Sequence, residues 1–202
     1  MPASVAVRVL GEGPSVVFVH GAVGPGPTWK AQEALAERWR LTLVTRRGFR
    51  PSPAVDRQDF AADARDLEKL LHREPAHCVG FGYGALGLAE AAAEASELFR
   101  SLTLIEPPLF VSAPAADGPD AAQVRPATEA EPDLASIAAA GVPSLVLSGD
   151  HDPALEAACD SVAARLGAQR DCLPGAGHAV QRTPLFNRRL EQFLFGAETT
   201  RL

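Results

Sequence analysis

The stretch "CVGFGYGALGLAE", residues 78–90, runs from an apolar stub through a burst of glycines into an alanine-rich segment. Read as local structure, it is a buried strand that turns sharply into a helix. Two kinds of enzyme turn are written this way. In a nucleophile elbow, G-x-S-x-G, the central serine stands exposed above a sheet and attacks a carbonyl. In a dinucleotide-binding turn, G-x-G-x-x-G, backbone amides hold a pyrophosphate. Gly80-Phe81-Gly82-Tyr83-Gly84 has the outline of the first with glycine in the serine position, and Gly82-Tyr83-Gly84-Ala85-Leu86-Gly87 fits the second letter for letter.

The rest of the chain limits what such a turn can serve. With 202 residues, 47% of them hydrophobic, there is material for one domain spanning 1–202 with a substantial core. The net charge of −6 is spread along the chain. No basic block marks a nucleic-acid or membrane-surface footprint. Cys78, Cys159 and Cys172 are an odd number without metal-type spacing, which reads as buried, reduced thiols and no metal site. "MPASVAVRVLGEG" has neither the basic flank nor the apolar centre of a signal peptide, and no apolar run reaches the ~18 residues of a membrane span. These features predict a cytoplasmic monomer or homodimer.

Strand-like and helix-like segments alternate. "SVVFVH" (15–20), "LTLVT" (41–45), "HCVGF" (77–81), "SLTLIE" (101–106), "SLVLSG" (144–149) and "QRDCLP" (169–174) read as strands. Residues 28–39, 59–72, 85–99, 154–167 and 183–195 have helical character, and the last begins at a proline suited to a first turn. Alternation of this kind predicts a mostly parallel sheet covered on both faces, with ligands at the carboxyl ends of its strands. Residues 107–133, rich in proline, alanine and acidic residues, break the rhythm and read as a surface loop bordering the site.

The dinucleotide reading gains some support from Glu106, which ends the next strand where an acidic residue would take ribose hydroxyls. Against it, two strands precede the turn, whereas the dinucleotide turn usually follows the first strand of its domain. Three other strand ends carry matching chemistry: His20-Gly21-Ala22, Asp150 and Asp152, and His178 just before the final helix. The order nucleophile position, acid, histidine is that of the α/β-hydrolase arrangement. The blocks "HGA", "TW", "RRGF", "VGFGYGALGLAEAAAE", "LTLIEP", "VPSLVLSGDHDP" and "PGAGHAVQRTPLFN" follow in sequence across nearly the whole chain. On these blocks the chain resembles α/β-hydrolase-fold proteins of the small-esterase and C–C hydrolase type. Two departures stand out: the elbow carries Phe81-Gly82 where this family commonly has His-Ser, and "VTRRGFRPSP" lacks the acidic residue the family often places before its Arg-Gly.

The resemblance implies an α/β-hydrolase fold, with 107–133 as a much shortened lid. It also implies His178 as general base, Asp152 rather than Asp150 as its acid partner, and the backbone N–H groups of Ala22 and Tyr83 as an oxyanion hole. His20, Trp29 and Phe81 are expected to line the pocket. Gly82 has no atom to attack with. Its neighbour Tyr83 points elsewhere from such a turn, and a phenol is a weak nucleophile at neutral pH. His72, His77, His151, Asp63 and Asp66 read as solvated, and Glu106 as a local cap or partner.

Three functions fit these residues. One is an enzyme without a covalent nucleophile, acting on a small carbonyl compound by His178 base catalysis with no cofactor and no bound nicotinamide or flavin nucleotide. The second is a non-catalytic relative that binds a small ligand or a protein. The third is a serine hydrolase whose nucleophile was replaced. Loss of a triad serine costs about a million-fold in turnover, so ordinary ester hydrolysis is expected to be negligible.

Overall fold

The computed structural model describes residues 4–110 and 123–199. The described residues form a sheet of strands β1 (Ala6–Leu10), β2 (Ser15–Val19), β3 (Arg40–Thr45), β4 (Ala76–Phe81), β5 (Phe99–Ile105), β6 (Ser144–Ser148) and β7 (Gln169–Cys172). Their spatial order is β1-β3-β2-β4-β5-β6-β7. Only β1 runs antiparallel to its neighbour; all other adjacent pairs are parallel. From β2 the chain steps outward to β3, then crosses back to β4 and proceeds the other way. The reversal falls between β2 and β4, so His20–Ala22 and the glycine turn open side by side at the crevice where such sheets bind ligands.

Helices α1 (Pro25–Trp29), α2 (Phe60–Leu71), α3 (Tyr83–Glu94), α4 (Leu134–Ala139), α5 (Pro153–Leu166) and α6 (Pro184–Thr199) cover the sheet. Two cores result, because successive side chains of a strand point to opposite faces. Val17, Val19, Cys78, Leu102, Leu104 and Val146 pack under α2–α5. Val16, Phe18, Val79, Ile105, Leu145 and Leu147 pack with Trp29 and the Phe186, Leu190 and Phe193 face of α6. The edges are less apolar: β7 carries Arg170 and Asp171, and β1 holds Arg8 against Glu33. No helix among the described residues is long and apolar enough to cross a membrane.

Packing explains Gly80, Gly84 and Gly87 of the opening stretch. A Cβ on Gly84 would lie 2.3 Å from the His20 carbonyl oxygen, so α3 can seat on the end of β2 only through a glycine. Gly80 and Gly87 are pressed in the same way against Ala85 and against Asp63 of α2. Gly84 and Gly87 of the pattern that mimics a dinucleotide turn are therefore required by helix–sheet and helix–helix contact in this fold.

Several elements differ from expectation. The helix over 28–39 is α1 followed by a 3₁₀ segment, Lys30–Glu37. Its buried residues Trp29, Gln32 and Leu35 recur every third position, which suits three residues per turn. The helix over 85–99 ends at Glu94, and Phe99 already belongs to β5. β1 and α4 were not anticipated. The first is an edge strand whose Val7 and Val9 face outward, so it shows no buried alternation, and the second is six residues long, too short for a periodicity to register.

Asp63 and Asp66, expected on a solvated helix face, are buried against arginines. Arg46 Nε donates to Asp63 at 2.7 Å, and Arg47 forms a two-bond pair with Asp66. His77 is likewise buried, between Ser101 Oγ at 2.8 Å and the Glu198 carboxylate at 3.0 Å. Cys172 is exposed, unlike Cys78 and Cys159. Within 107–133, Leu109 is buried and Gln58 pairs with Val124, while residues 111–122 lie outside the described ones.

Candidate active site

The turn after β4 puts Gly82 at φ 53°, ψ −124°, a backbone conformation that L side chains rarely adopt. Its N–H donates to the Ile105 carbonyl at 2.9 Å, which ties the turn to the neighbouring strand end. A Cβ built on Gly82 meets nothing within 4 Å, so the space above the turn is open. Gly21 is seated directly against it: a Cβ there would lie 3.0 Å from the Phe81 carbonyl oxygen and 3.6 Å from Tyr83 N. Tyr83 N–H is the first amide of α3 and has no acceptor within the helix. The Tyr83 phenol leads away from the turn and donates to the Arg125 carbonyl at 3.0 Å. Burial pushes its pKa up to about 12, although Arg46 pulls the other way.

His178 sits on the loop after β7, directly after two glycines at positive φ, Gly175 and Gly177. That loop is locked to the end of β6, because Gly177 N–H donates to the Gly149 carbonyl and a Cβ on Gly149 would strike the Gly177 oxygen. The ring packs at 4.9 Å from the ring of Phe81, the residue before Gly82. Its Nδ1 lies 2.5 Å from Oε2 of Glu106, the residue that follows β5. A carboxylate only accepts, so Nδ1–H donates, and the neutral ring keeps its lone pair on Nε2. The Glu106 side chain is fully buried, at φ 45°, and its Oε1 accepts from Gly149 N–H at 3.0 Å. His151 Nδ1 stands 3.2 Å from the same Oε1.

Asp152, the expected partner of His178, is used elsewhere. Its Oδ1 accepts from the N–H groups of Ala154 and Leu155 and caps α5, with Pro153 in the first turn. The carboxylate hydrogen-bonded to His178 is Glu106. This differs from the assignment by chain order, and the reason is local: Asp-Pro is a helix start, and the cap engages Asp152 Oδ1.

His20 and Trp29, expected to line a pocket, are fully buried. His20 donates from Nδ1 to the Gly21 carbonyl and accepts the Arg46 N–H on Nε2, so both nitrogens are occupied. Burial first, and then the Arg46 charge, lower its pKa to about 4. Trp29 packs on Phe18 in the core. Phe81, 8% exposed, is the one of the three set beside His178. A separate cleft of about 430 Å³ lies at the β1–β3 edge, lined by residues such as Arg8, Pro25, Thr45 and Arg50 and not by the site residues.

Residues 16–135 match the model of the alpha/beta hydrolase family, more than half of the chain. The chain belongs to the α/β hydrolase family. Among sequence relatives, a pimeloyl-[acyl-carrier protein] methyl ester esterase of Aeromonas hydrophila is 32% identical over 113 residues, which are 54% of this chain and 44% of that protein. A 2-(acetamidomethylene)succinate hydrolase of Mesorhizobium japonicum is 29% identical over 120 residues, 57% of this chain and 43% of that protein. The matched segment thus spans less than half of either relative. Similarity of fold extends further. A carboxylesterase structure from Nitrososphaera gargenis aligns with TM-score 0.79 at 12% identity over 97% of this chain and 96% of that one. A thermophilic esterase from Thermogutta terrifontis aligns with TM-score 0.73 at 19% identity over 98% and 93%.

In this α/β hydrolase the sequence brings Gly82, Phe81 and His178 to one rim, and the structure adds Glu106 and His151. A signal for Glu106 was present. An acidic residue directly ending a strand that is apolar and buried must find a partner or lose its charge. His151 had no comparable signal, since "GDHDP" reads as an exposed turn.

Proposed function

We propose that this protein acts on a small carbonyl compound by general base catalysis, without a covalent nucleophile. His178 Nε2 takes the proton, and Glu106 fixes the tautomer and stabilises the imidazolium that forms. The N–H groups of Ala22 and Tyr83 hold the resulting enolate or alkoxide oxygen, and the room above Gly82 receives the substrate or a water molecule. The observation that carries this reading is the buried Glu106 carboxylate bonded to His178 Nδ1 at 2.5 Å, beside a turn whose central residue has no side chain. A carboxylate held in the interior on a left-handed backbone is costly to keep, and orienting a base gives it a task. The esterase and hydrolase names of the sequence relatives agree with a carbonyl-containing substrate.

The experiment follows hydrogen–deuterium exchange at the α-carbon of a panel of small ketones, esters and β-dicarbonyl compounds by proton NMR in D₂O. The protein accelerates exchange of at least one member, and His178→Ala and Glu106→Gln each lower that rate by about 10²–10⁴-fold. Gly82→Ser fills the space, impairs the exchange, and introduces hydrolysis of an activated aryl ester that His178→Ala abolishes. Equal exchange by the unaltered protein and His178→Ala across the panel overturns the proposal and leaves a ligand-binding protein.

A further inference from the structure

The geometry points to a divalent metal site of the zinc class built by Glu106, His151 and His178. One ligand atom from each of these residues lies within 4.8 Å of the other two. The sequence shows no metal spacing because the three ligands come from the ends of three strands, β5, β6 and β7. Two imidazoles and a carboxylate are the donor set that holds Zn²⁺ with a fourth position open.

The surroundings are those of a ligand shell. The Glu106 carboxylate is buried and anchored by the Gly149 N–H bond, the kind of outer contact that orients a metal ligand. The two imidazoles close the site from the solvent side, with 31% and 62% of the His151 and His178 side chains exposed, which leaves an entry path. Their ring centroids are 5.5 Å apart, and the Gly149–Gly177 lock holds the two loops that carry them together.

Without metal, His178 Nδ1–H donates to Glu106 Oε2, and His151 Nδ1 stands 3.2 Å from Oε1. To bind the ion through Nδ1, His178 releases its Nδ1 proton and takes one from solvent at Nε2, so this ring gains or loses no net proton. His178 Nε2 then carries a hydrogen and is no longer a base. The metal form and the base form are therefore exclusive, and the inference goes beyond the proposed function without resting on it.

The test uses chelator-treated, dialysed protein. Calorimetric titration with Zn²⁺ alone gives one equivalent, and Co²⁺ gives the visible bands of a four-coordinate or five-coordinate site. His151→Ala, which leaves the His178–Glu106 pair in place, weakens Zn²⁺ binding by more than about 10²-fold, beyond the loss typical of an outer-shell contact. Glu106→Gln does the same, whereas His72→Ala on the exposed surface leaves it unchanged. Failure to bind one equivalent, a Co²⁺ spectrum of the hexaaqua ion, or binding that His151→Ala does not weaken overturns the site. None of these outcomes depends on whether His178 catalyses proton exchange.

Discussion

The His178 imidazole and the Glu106 carboxylate meet at 2.5 Å between the loop after β7 and the end of β5, while Asp152 Oδ1 caps the first turn of α5. The two acids can be told apart once a nucleophile is supplied. In the Gly82→Ser background, Glu106→Gln lowers kcat for an activated aryl ester by about 10⁴-fold, the loss expected when a buried acid no longer fixes the tautomer. Asp152→Asn leaves that rate near its parent. Asp152→Ala instead costs about 1 kcal/mol of stability through the lost cap, read from urea denaturation.

Neighbouring glycines of the turn differ in what they tolerate. At Gly84 a Cβ would meet the backbone oxygens of His20 and Val19 at 2.3 and 2.7 Å, and neither can move without shifting β2. Gly84→Ala is expected to cost at least about 3 kcal/mol or to prevent folding. At Gly82 there is room but φ is 53°, so Gly82→Ala costs only about 1–2 kcal/mol. Denaturation midpoints of the two variants check the ranking.

His20 makes the fold acid-sensitive. Its pKa falls from 6.5 in the unfolded chain to about 4 in the fold, chiefly through burial, so between these values the unfolded state binds the additional proton. Stability on this account is fully present above pH 6.5 and is lost as pH falls to about 4, by about 3 kcal/mol. His20→Asn, which keeps an acceptor for the Arg46 N–H but does not titrate, flattens that part of the stability–pH curve. Urea midpoints at several pH values measure the difference.

The Arg46–Asp63 pair is 1% and 6% exposed, and the Asp63 carboxyl is raised chiefly by burial, with Arg46 pulling the other way. Each charge is tolerated because of the other. Asp63→Asn strands the guanidinium and is expected to destabilise by about 3–5 kcal/mol. Combining it with Arg46→Met restores part of that loss, which a double-mutant cycle by calorimetry checks.

The order of strands and helices was legible because every central strand is apolar and buried and the connections between them, other than that from β5 to β6, carry a helix signal. Edge features were not: β1 pairs on one side only and exposes its valines, so its pattern was that of a loop. At the site, Gly82 and His178 were found by their place at strand ends. The carboxylate bonded to His178 was not legible, because chain order cannot tell a helix cap from a histidine partner, and Asp152 fulfils the requirements of a cap. Asp63, Asp66 and His77 looked solvated because their partners are 17, 19 and 24 residues or more away in sequence. Ion pairs of that range leave no local pattern.

The chain leaves the sheet through buried Leu109 and returns at a fixed peg, where Gln58 exchanges backbone bonds with Gln123 and Arg125 and the Tyr83 hydroxyl holds the Arg125 carbonyl. Both anchors belong to the scaffold beside the turn, so the length of chain between them is uncoupled from the register of the sheet. Doubling a connection of this kind adds only about 0.6 kcal/mol of closure entropy, less than one helix cap contributes. An insertion between these anchors therefore lengthens the chain at one place without changing how the strands pair.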